Sequence, residues 1–296
     1  MTASGKASLQ ALFVTFLWST SWVLIKFGLG AIPPVTFAGL RYFLAFLLLL
    51  PLLTQQKLRQ EILTLSARSW RMLLLLGLVY YTFTQGAQFV GLVYLPANML
   101  SLMLTLSGIT IALFGRLFLS ERLSGLQWAG VFVSVAGAVL YFGGVEALSM
   151  AGLAVGFFAI AANSAGALLG RGINRRAEIS PLAVTMVSMG VGSVLLLLAG
   201  VVSEPFPTLT ARDWGIILWL AAVNTAFAFT LWNRTLQTLS AAQSSVINNT
   251  MLIQIAILAW VFLGERPGAW QLLGLLIAAV GTVMVQLKPR RAPAAG

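Results

Sequence analysis

Apolar residues in this chain come in long runs broken by short polar patches, without the two-residue alternation of a strand. A spanning helix needs about 20 mainly apolar residues. Ten stretches meet that length: Leu9–Leu29, Pro33–Leu53, Trp70–Val90, Ala97–Phe118, Leu126–Phe142, Gly152–Gly172, Leu182–Val202, Trp214–Arg234, Ala242–Phe262 and Trp270–Leu287. Helices are expected because lipid offers no partner to unpaired backbone groups and the alternation of a β-barrel is missing. The pattern thus predicts an all-α integral membrane protein with ten transmembrane helices. The links are short, and only Thr54 to Ser69 is of any length. The first run lacks the short apolar core and small-residue cleavage site of a secretory signal, so it reads as a helix of the mature protein.

Composition narrows the class further. Of the 296 residues, 59% are hydrophobic and 8% charged, against roughly 25% charged in a soluble domain. That is too little charge to coat a water-facing surface, which excludes a soluble enzyme and a disordered chain. The net charge of +11 does not point to nucleic acid, because the basic residues are scattered between apolar runs. With the N-terminus in the cytoplasm, 14 of the 18 Lys and Arg residues fall on the inner side. Lys26, Arg41, Arg212 and Arg266 remain for the outer half. This bias predicts cytoplasmic N- and C-termini. The chain has no Cys and no His, so disulfides, thiol nucleophiles and imidazole chemistry are excluded. No metal site and no cofactor is expected, and Gly28-x-Gly30 has no nucleotide-binding context.

An internal repeat is the most informative feature. A shift of 144 residues lays Trp70 on Trp214, Val79 on Val223, Phe83 on Phe227, Ala97 on Ala241 and Ser101 on Ser245. The densest match sets Phe118-Leu119-x-Glu121-Arg122 over Phe262-Leu263-x-Glu265-Arg266, and it continues through Gln127/Gln271, Gly130/Gly274 and Gly137/Gly281. The expected organisation is a first five-helix repeat over 1–148, a second over 149–288 and a basic cytoplasmic tail, 289–296. Two copies of a unit with an odd number of spans must enter the bilayer in opposite senses. Inverted repeats place a substrate site near the midplane, where the halves meet.

These residues resemble a known family. Five-helix repeats ending Leu-x-Glu-Arg, followed by a short loop, Gln and a Gly-x6-Gly helix, are similar to the drug/metabolite transporter superfamily, in particular its ten-helix EamA-type exporters. Trp18-x3-Trp22-x3-Lys26 and Pro34…Arg41 are similar to the same family, and the first half is most like the aromatic amino acid exporters of the YddG type. The second half departs at Ser188, which stands where a twin of Arg41 would. The resemblance implies a multi-pass protein of a bacterial-type inner membrane that exports small amphipathic metabolites, most plausibly neutral or aromatic amino acids, by alternating access.

Polar or aromatic residues on one face of a span are candidates to line a cavity. They are Trp18, Ser21, Trp22 and Lys26 in the first span; Tyr80, Tyr81, Thr84, Gln85 and Gln88 in the third; Asn98 and Ser101 in the fourth; Asn163 in the sixth; Asn224 and Trp232 in the eighth; and Ser244, Ser245 and Asn248 in the ninth. Each has a plainer explanation. Hydroxyls bond back to their own helix, and aromatic residues near helix ends anchor at the interface. The amides are harder to dismiss, since an unpartnered amide in hydrocarbon is costly. Lys26 or Arg41 could offer positive charge to a substrate carboxylate, or instead snorkel to the outer interface or hold a loop by carbonyl contacts. Glu121-Arg122 and Glu265-Arg266 sit at helix ends and suit loop closure and gating more than substrate binding.

The seven acids all lie outside mid-span positions. A proton relay through a membrane carboxylate is therefore not expected. Without His, Cys or a deep acid, an intramembrane enzyme is excluded too. The alternatives left open are other cargo (lipophilic cations, nucleotide sugars or sugar phosphates) and a non-transporting scaffold. The expected partners are a small-molecule substrate and the lipid bilayer, with no nucleic acid; monomer and dimer both remain open.

Overall fold

The computed structural model describes residues 3–111, 114, 124–143, 149–176, 178–236, 238–239 and 241–286. Ten helices follow the ten apolar runs. α1 is Ala3–Gly28, α2 Pro34–Leu49, α4 Ala97–Thr105, α5 Gly125–Gly143, α6 Met150–Arg176, α7 Pro181–Ser203, α9 Ala241–Leu263 and α10 Ala269–Gln286. α3 spans Ala67–Tyr94, and α8 runs from Ala211–Ala221 through Ala222–Phe227 into Ala228–Leu236. Seven of the described helices are long and apolar enough to cross a membrane, and three more apolar segments are shorter, at Ala97–Ile111, Thr250–Leu263 and Ala269–Val285.

Two details depart from the sequence pattern. The link after α2 is not plain loop: a 3-10 turn, Leu50–Thr54, leads into a short helix, Gln56–Leu63. It anchors through one buried residue, Leu58, which packs with Leu73, Leu76 and Ile173. The second departure lies within the spans. Gly77–Thr84 in α3 and Ala222–Phe227 in α8 are π-helical. The 144-residue shift carries the first segment onto 221–228, which contains the second. Each is stitched by a threonine hydroxyl that donates five residues back: Thr84 to the Val79 carbonyl at 3.0 Å and Thr225 to the Leu220 carbonyl at 2.8 Å. π-bulges leave backbone groups out of register and occur often at functional sites.

Proline starts several helices, where its missing N–H is no loss. Pro34 and Pro181 stand at the first helical turn of α2 and α7, and Pro96 caps α4. Ser180 and Ser66 cap α7 and α3 through their hydroxyls, and Thr210 with Asp213 forms a capping box on α8. α2 and α4 have no side-chain cap of their own.

Helices of the first half of the chain pair with helices of the second. α2 lies along α7, α5 along α10, α1 along α9, and α4 packs on both α9 and α6. The α3 contacts with α6 and α7 have counterparts in those of α8 with α1 and α2. Exchanging the halves therefore reproduces the pairing. The shared core gathers Trp22, Ile25, Phe37, Tyr81, Phe89, Leu100 and Met103 with residues of the second half such as Met189, Leu220, Leu252 and Ala259. Phe132, Val139, Trp260, Val261 and Val280 lie outward, as suits a multi-pass protein in hydrocarbon.

α5 and α10 come closest. A Cβ on Gly137 would lie 2.6 Å from the Gly274 carbonyl oxygen, and one on Gly281 would lie 2.7 Å from that of Gly130. The four glycines thus let two backbones touch, and Ser134 and Thr282 add a hydroxyl pair at 3.1 Å. Overpacking there costs about 1–3 kcal/mol, with backbone as the obstacle. We expect Gly137→Val to lower the thermal unfolding midpoint in detergent, while Val135→Ala on the outward face (46% exposed) leaves it within about 0.5 kcal/mol of the parent.

Candidate functional site

A cavity of about 360 Å³ opens between the two halves. α4 supplies Ser101, Leu104 and Thr105, and the apolar segment that continues it to Ile111 supplies Ser107, Gly108 and Ile111; α9 supplies Asn248, Met251, Leu252 and Ile255; Trp22, Tyr80 and Asn163 complete the wall from α1, α3 and α6. A second hollow of about 300 Å³ lies beside it between α3, α6 and α7 and shares Tyr80 and Asn163 with the first. Ligand cavities commonly hold about 300–1,000 Å³, so the main one has the size for a small metabolite.

The wall is aromatic and polar yet uncharged among the described residues. Tyr80 is placed by the π-helical segment and meets Tyr81 edge-on, with ring centroids 5.3 Å apart; Gly166 leaves room for it, since a Cβ there would lie 2.7 Å from the Tyr80 ring. Asn163 donates to the Ser107 hydroxyl at 2.8 Å. Ser164, next to it, meets Thr110 and donates to its own helix at Ile160. Ser101 and Thr105 donate to the carbonyls of Asn98 and Ser101, both at 2.8 Å. Their hydroxyl protons are thereby committed, which leaves the two oxygens on the wall as acceptors.

Of the residues read from the sequence, Trp22, Tyr80, Ser101, Asn163 and Asn248 line this cavity, and Tyr81 lines the second hollow. The others lie elsewhere. Trp18 and Trp232 pack on each other at 5.2 Å between α1 and α8, with Phe229 against the same ring. Ser21 and Asn224 belong to a buried polar knot. Asn224 donates to the Leu17 carbonyl and to the hydroxyls of Thr20 and Ser21, each at 3.0 Å. Arg41 enters the same knot, its Nε 3.1 Å from the Thr225 hydroxyl and its Nη2 3.5 Å from that of Ser21. Its guanidinium carbon lies 5.1 Å from the Tyr42 ring centre. Among the described residues it meets no carboxylate.

Lys26 holds a turn: its ammonium donates to the Leu95 carbonyl at 2.8 Å. Thr84 bonds along its own helix, and Gln85 accepts from the Tyr42 hydroxyl at 2.6 Å. Gln88 is half-buried on α3. Asn98 and Glu265 meet at the start of α4, where the Glu265 carboxylate accepts from the backbone of Ala97 and Asn98. Arg266 is exposed. Glu121, Arg122 and the side chains of Ser244 and Ser245 lie outside the described residues. Sequence reasoning missed Ser107, which sits beyond the break in α4 at Leu106, and the apolar members Leu104, Ile111, Met251, Leu252 and Ile255. The shift pairs Ile111 with Ile255, a signal that was available.

The profile of the EamA-like transporter family matches residues 5–143 and again 150–287. An uncharacterized transporter, YvbV, of Bacillus subtilis (strain 168) is 26% identical over 310 residues, covering 98% of this chain and 94% of that protein. An S-adenosylmethionine/S-adenosylhomocysteine transporter of Chlamydia trachomatis serovar L2 is 26% identical over 279 residues, covering 88% and 84%. A solved structure described as "Crystal structure of protein" superposes with a TM-score of 0.69 at 19% identity over 98% of this chain and 100% of that one, a likeness of fold alone. None of these three carries the aromatic amino acid exporter's name, so the finer resemblance stands as a matter of cargo still to be tested.

The Tyr42–Gln85 contact is a testable support of the wall, since Tyr42 also meets Tyr81 edge-on at 6.0 Å. Tyr42→Phe strands a buried amide oxygen, at a cost of about 1–3 kcal/mol. We expect a lowered unfolding midpoint that the Tyr42→Phe/Gln85→Leu double variant largely restores, because no polar group is then left unpaired.

Proposed function

The chain belongs to the EamA-like transporter family, and from that premise we propose that it exports small amphipathic metabolites, foremost neutral and aromatic amino acids, by alternating access. It is a multi-pass transporter and not an enzyme. The proposed arrangement is two oppositely inserted five-helix repeats, both termini cytoplasmic, in a bacterial-type inner membrane. What supports the inversion is the odd span count per repeat, the Lys and Arg bias and the exchange symmetry of helix pairing.

One observation carries the cargo reading: the wall combines two aromatic rings, two amides and three hydroxyls with no ionised group among the described residues. An uncharged wall cannot offset the desolvation of a net charge. The amides can donate and accept and the hydroxyl oxygens can accept, so together they can serve the two ends of a zwitterion whose charges sum to zero. Trp22 and Tyr80 can stack on an aromatic side chain for about 0.5–1.5 kcal/mol per pair beyond burial. Lys26 and Arg41 stand apart from this wall, engaged by a carbonyl and by hydroxyls, and the proposal gives them a structural role.

A second reading is favoured by the named Chlamydia relative and by the same two rings. An adenine would stack as an aromatic amino acid does, and a sulfonium would gain from a ring face in the absence of a carboxylate. The two readings separate in one experiment. Purified protein in proteoliposomes is offered labelled phenylalanine, tryptophan, leucine, glutamate and S-adenosylmethionine, with and without an imposed pH gradient. We expect flux of the aromatic amino acids well above that of glutamate, and no accumulation driven by the gradient. Trp22→Ala should reduce aromatic flux by up to about tenfold, the equivalent of one ring contact, while Trp22→Phe retains most of it. Equal flux of glutamate and tryptophan would sink the cargo reading; S-adenosylmethionine alone moving would establish the second.

A further inference from the structure

Three acidic side chains reach across the repeat boundary to grip the start of a helix in the other half. Glu204, just past α7, accepts from the N–H of Val35 at 3.0 Å and of Thr36 at 2.8 Å, and from the Thr36 hydroxyl at 2.8 Å, at the start of α2. Glu61, in the short helix Gln56–Leu63, accepts from the backbone N–H of Ser180 and from its hydroxyl, the latter at 2.7 Å, at the start of α7. Glu265, just past α9, accepts from Ala97 at 2.6 Å and Asn98 at 3.1 Å at the start of α4. The first N–H groups of a helix have no partner within it, and the positive end of the helix dipole favours a carboxylate there. Such charge-assisted bonds are stronger than neutral ones.

The three grips differ in what they hold. Glu204 and Glu61 secure the two ends of the α2–α7 pair, whose backbones already touch. A Cβ on Gly39 would lie 2.5 Å from the Leu197 Cα, and one on Gly200 would lie 2.6 Å from the Thr36 backbone. Neither helix contributes to the main cavity wall. Glu265 instead joins α9 to α4, the two helices that supply most of that wall. Its position depends on Gly264, whose φ of 69° turns the chain off the end of α9. The turn it grips is also held by Lys26, through the Leu95 carbonyl two residues earlier. Two charged side chains thus bracket Leu95–Asn98, the point where α4 begins.

We propose that Glu265 is a latch: its carboxylate on the start of α4 holds the cavity shut toward the side of the α3–α4 and α9–α10 turns, and its release opens that side. Glu61 and Glu204 belong to a frame that stays fastened throughout. The latch rests on the alternating-access reading, but its test needs no cargo. The chain contains no Cys, so Thr105→Cys, half-buried on the cavity wall, provides a single reporter. Right-side-out and inside-out vesicles are exposed to a membrane-impermeant maleimide, and the labelling rate is followed.

In the reporter background, Glu265→Gln is expected to raise labelling from the side where α4 begins by about tenfold, the shift that losing one charge-assisted hydrogen bond brings. Ala97→Pro deletes one of the two donors. Proline fits the first helical position, and Pro96 before it, at φ −56° and ψ 150°, already has the conformation a following proline requires. It should shift labelling in the same direction without touching the acid, which keeps the test open should Glu265→Gln fail to fold. Glu204→Gln should leave labelling from that side unchanged. Parental labelling rates in both Glu265→Gln and Ala97→Pro would overturn the latch, as would an equal rise in Glu204→Gln. If labelling shifts as described while the flux panel shows no preference, the latch stands and only the cargo reading falls.

Discussion

Within hydrocarbon a polar group has only the rest of the protein to turn to, and this constraint organises the structure more than any single contact. Serine and threonine hydroxyls on the spanning helices bond back to carbonyls three to five residues earlier. In the π-helical segments threonine hydroxyls likewise donate to carbonyls of their own helix, five residues back. α2 and α4 begin without a side-chain cap, and carboxylates from the opposite half meet their first N–H groups. Unsatisfied backbone at one repeat's helix starts is thereby turned into a bond with the other repeat.

The same constraint explains where charge is and is not found. Arg41 is buried, yet it is matched by hydroxyls and ring faces, sources that stabilise a cation without adding a second ion to be desolvated. The polar knot around Asn224 and Ser21 ties α8 to α1 and α2. Among the described residues the cavity wall carries no full charge and offers groups of either hydrogen-bonding sense. The division between tied helices and a neutral hollow suits a carrier, which must hold cargo firmly enough to select it and weakly enough to let it leave.

Much of this was legible from the sequence and some was not, for identifiable reasons. Long apolar runs could be placed because a spanning helix must be apolar over its full length; among the described residues each of the ten carries helix, seven of them long enough to cross a membrane and three shorter. The helix Gln56–Leu63 is eight polar-rich residues held by Leu58, too short and too weakly patterned to stand out. The π-helical segments leave no mark in residue type, because they are a change of hydrogen-bond register. Trp22, Tyr80, Ser101, Asn163 and Asn248 could be picked as lining residues by depth and polarity. Trp18 and Trp232 look the same by those criteria, and only the packing of α1 on α8 shows that they face each other. Lys26 and Arg41 drew attention as cations in apolar surroundings, but sequence does not show a carbonyl sixty-nine residues away. Glu61 and Glu204 counted only among the seven acids outside mid-span positions, for the same reason: their partners lie in the other half of the chain.

Tyr80 belongs to both hollows at once. Its ring lines two chambers of similar size, and among the described residues Asn163 is the only other one common to them. A swing of that one side chain, or its replacement by a small residue, would merge them into a single elongated space. The room in the site then depends on one rotamer in a π-helical stretch, so a change at this one position enlarges the space while every helix stays where it is.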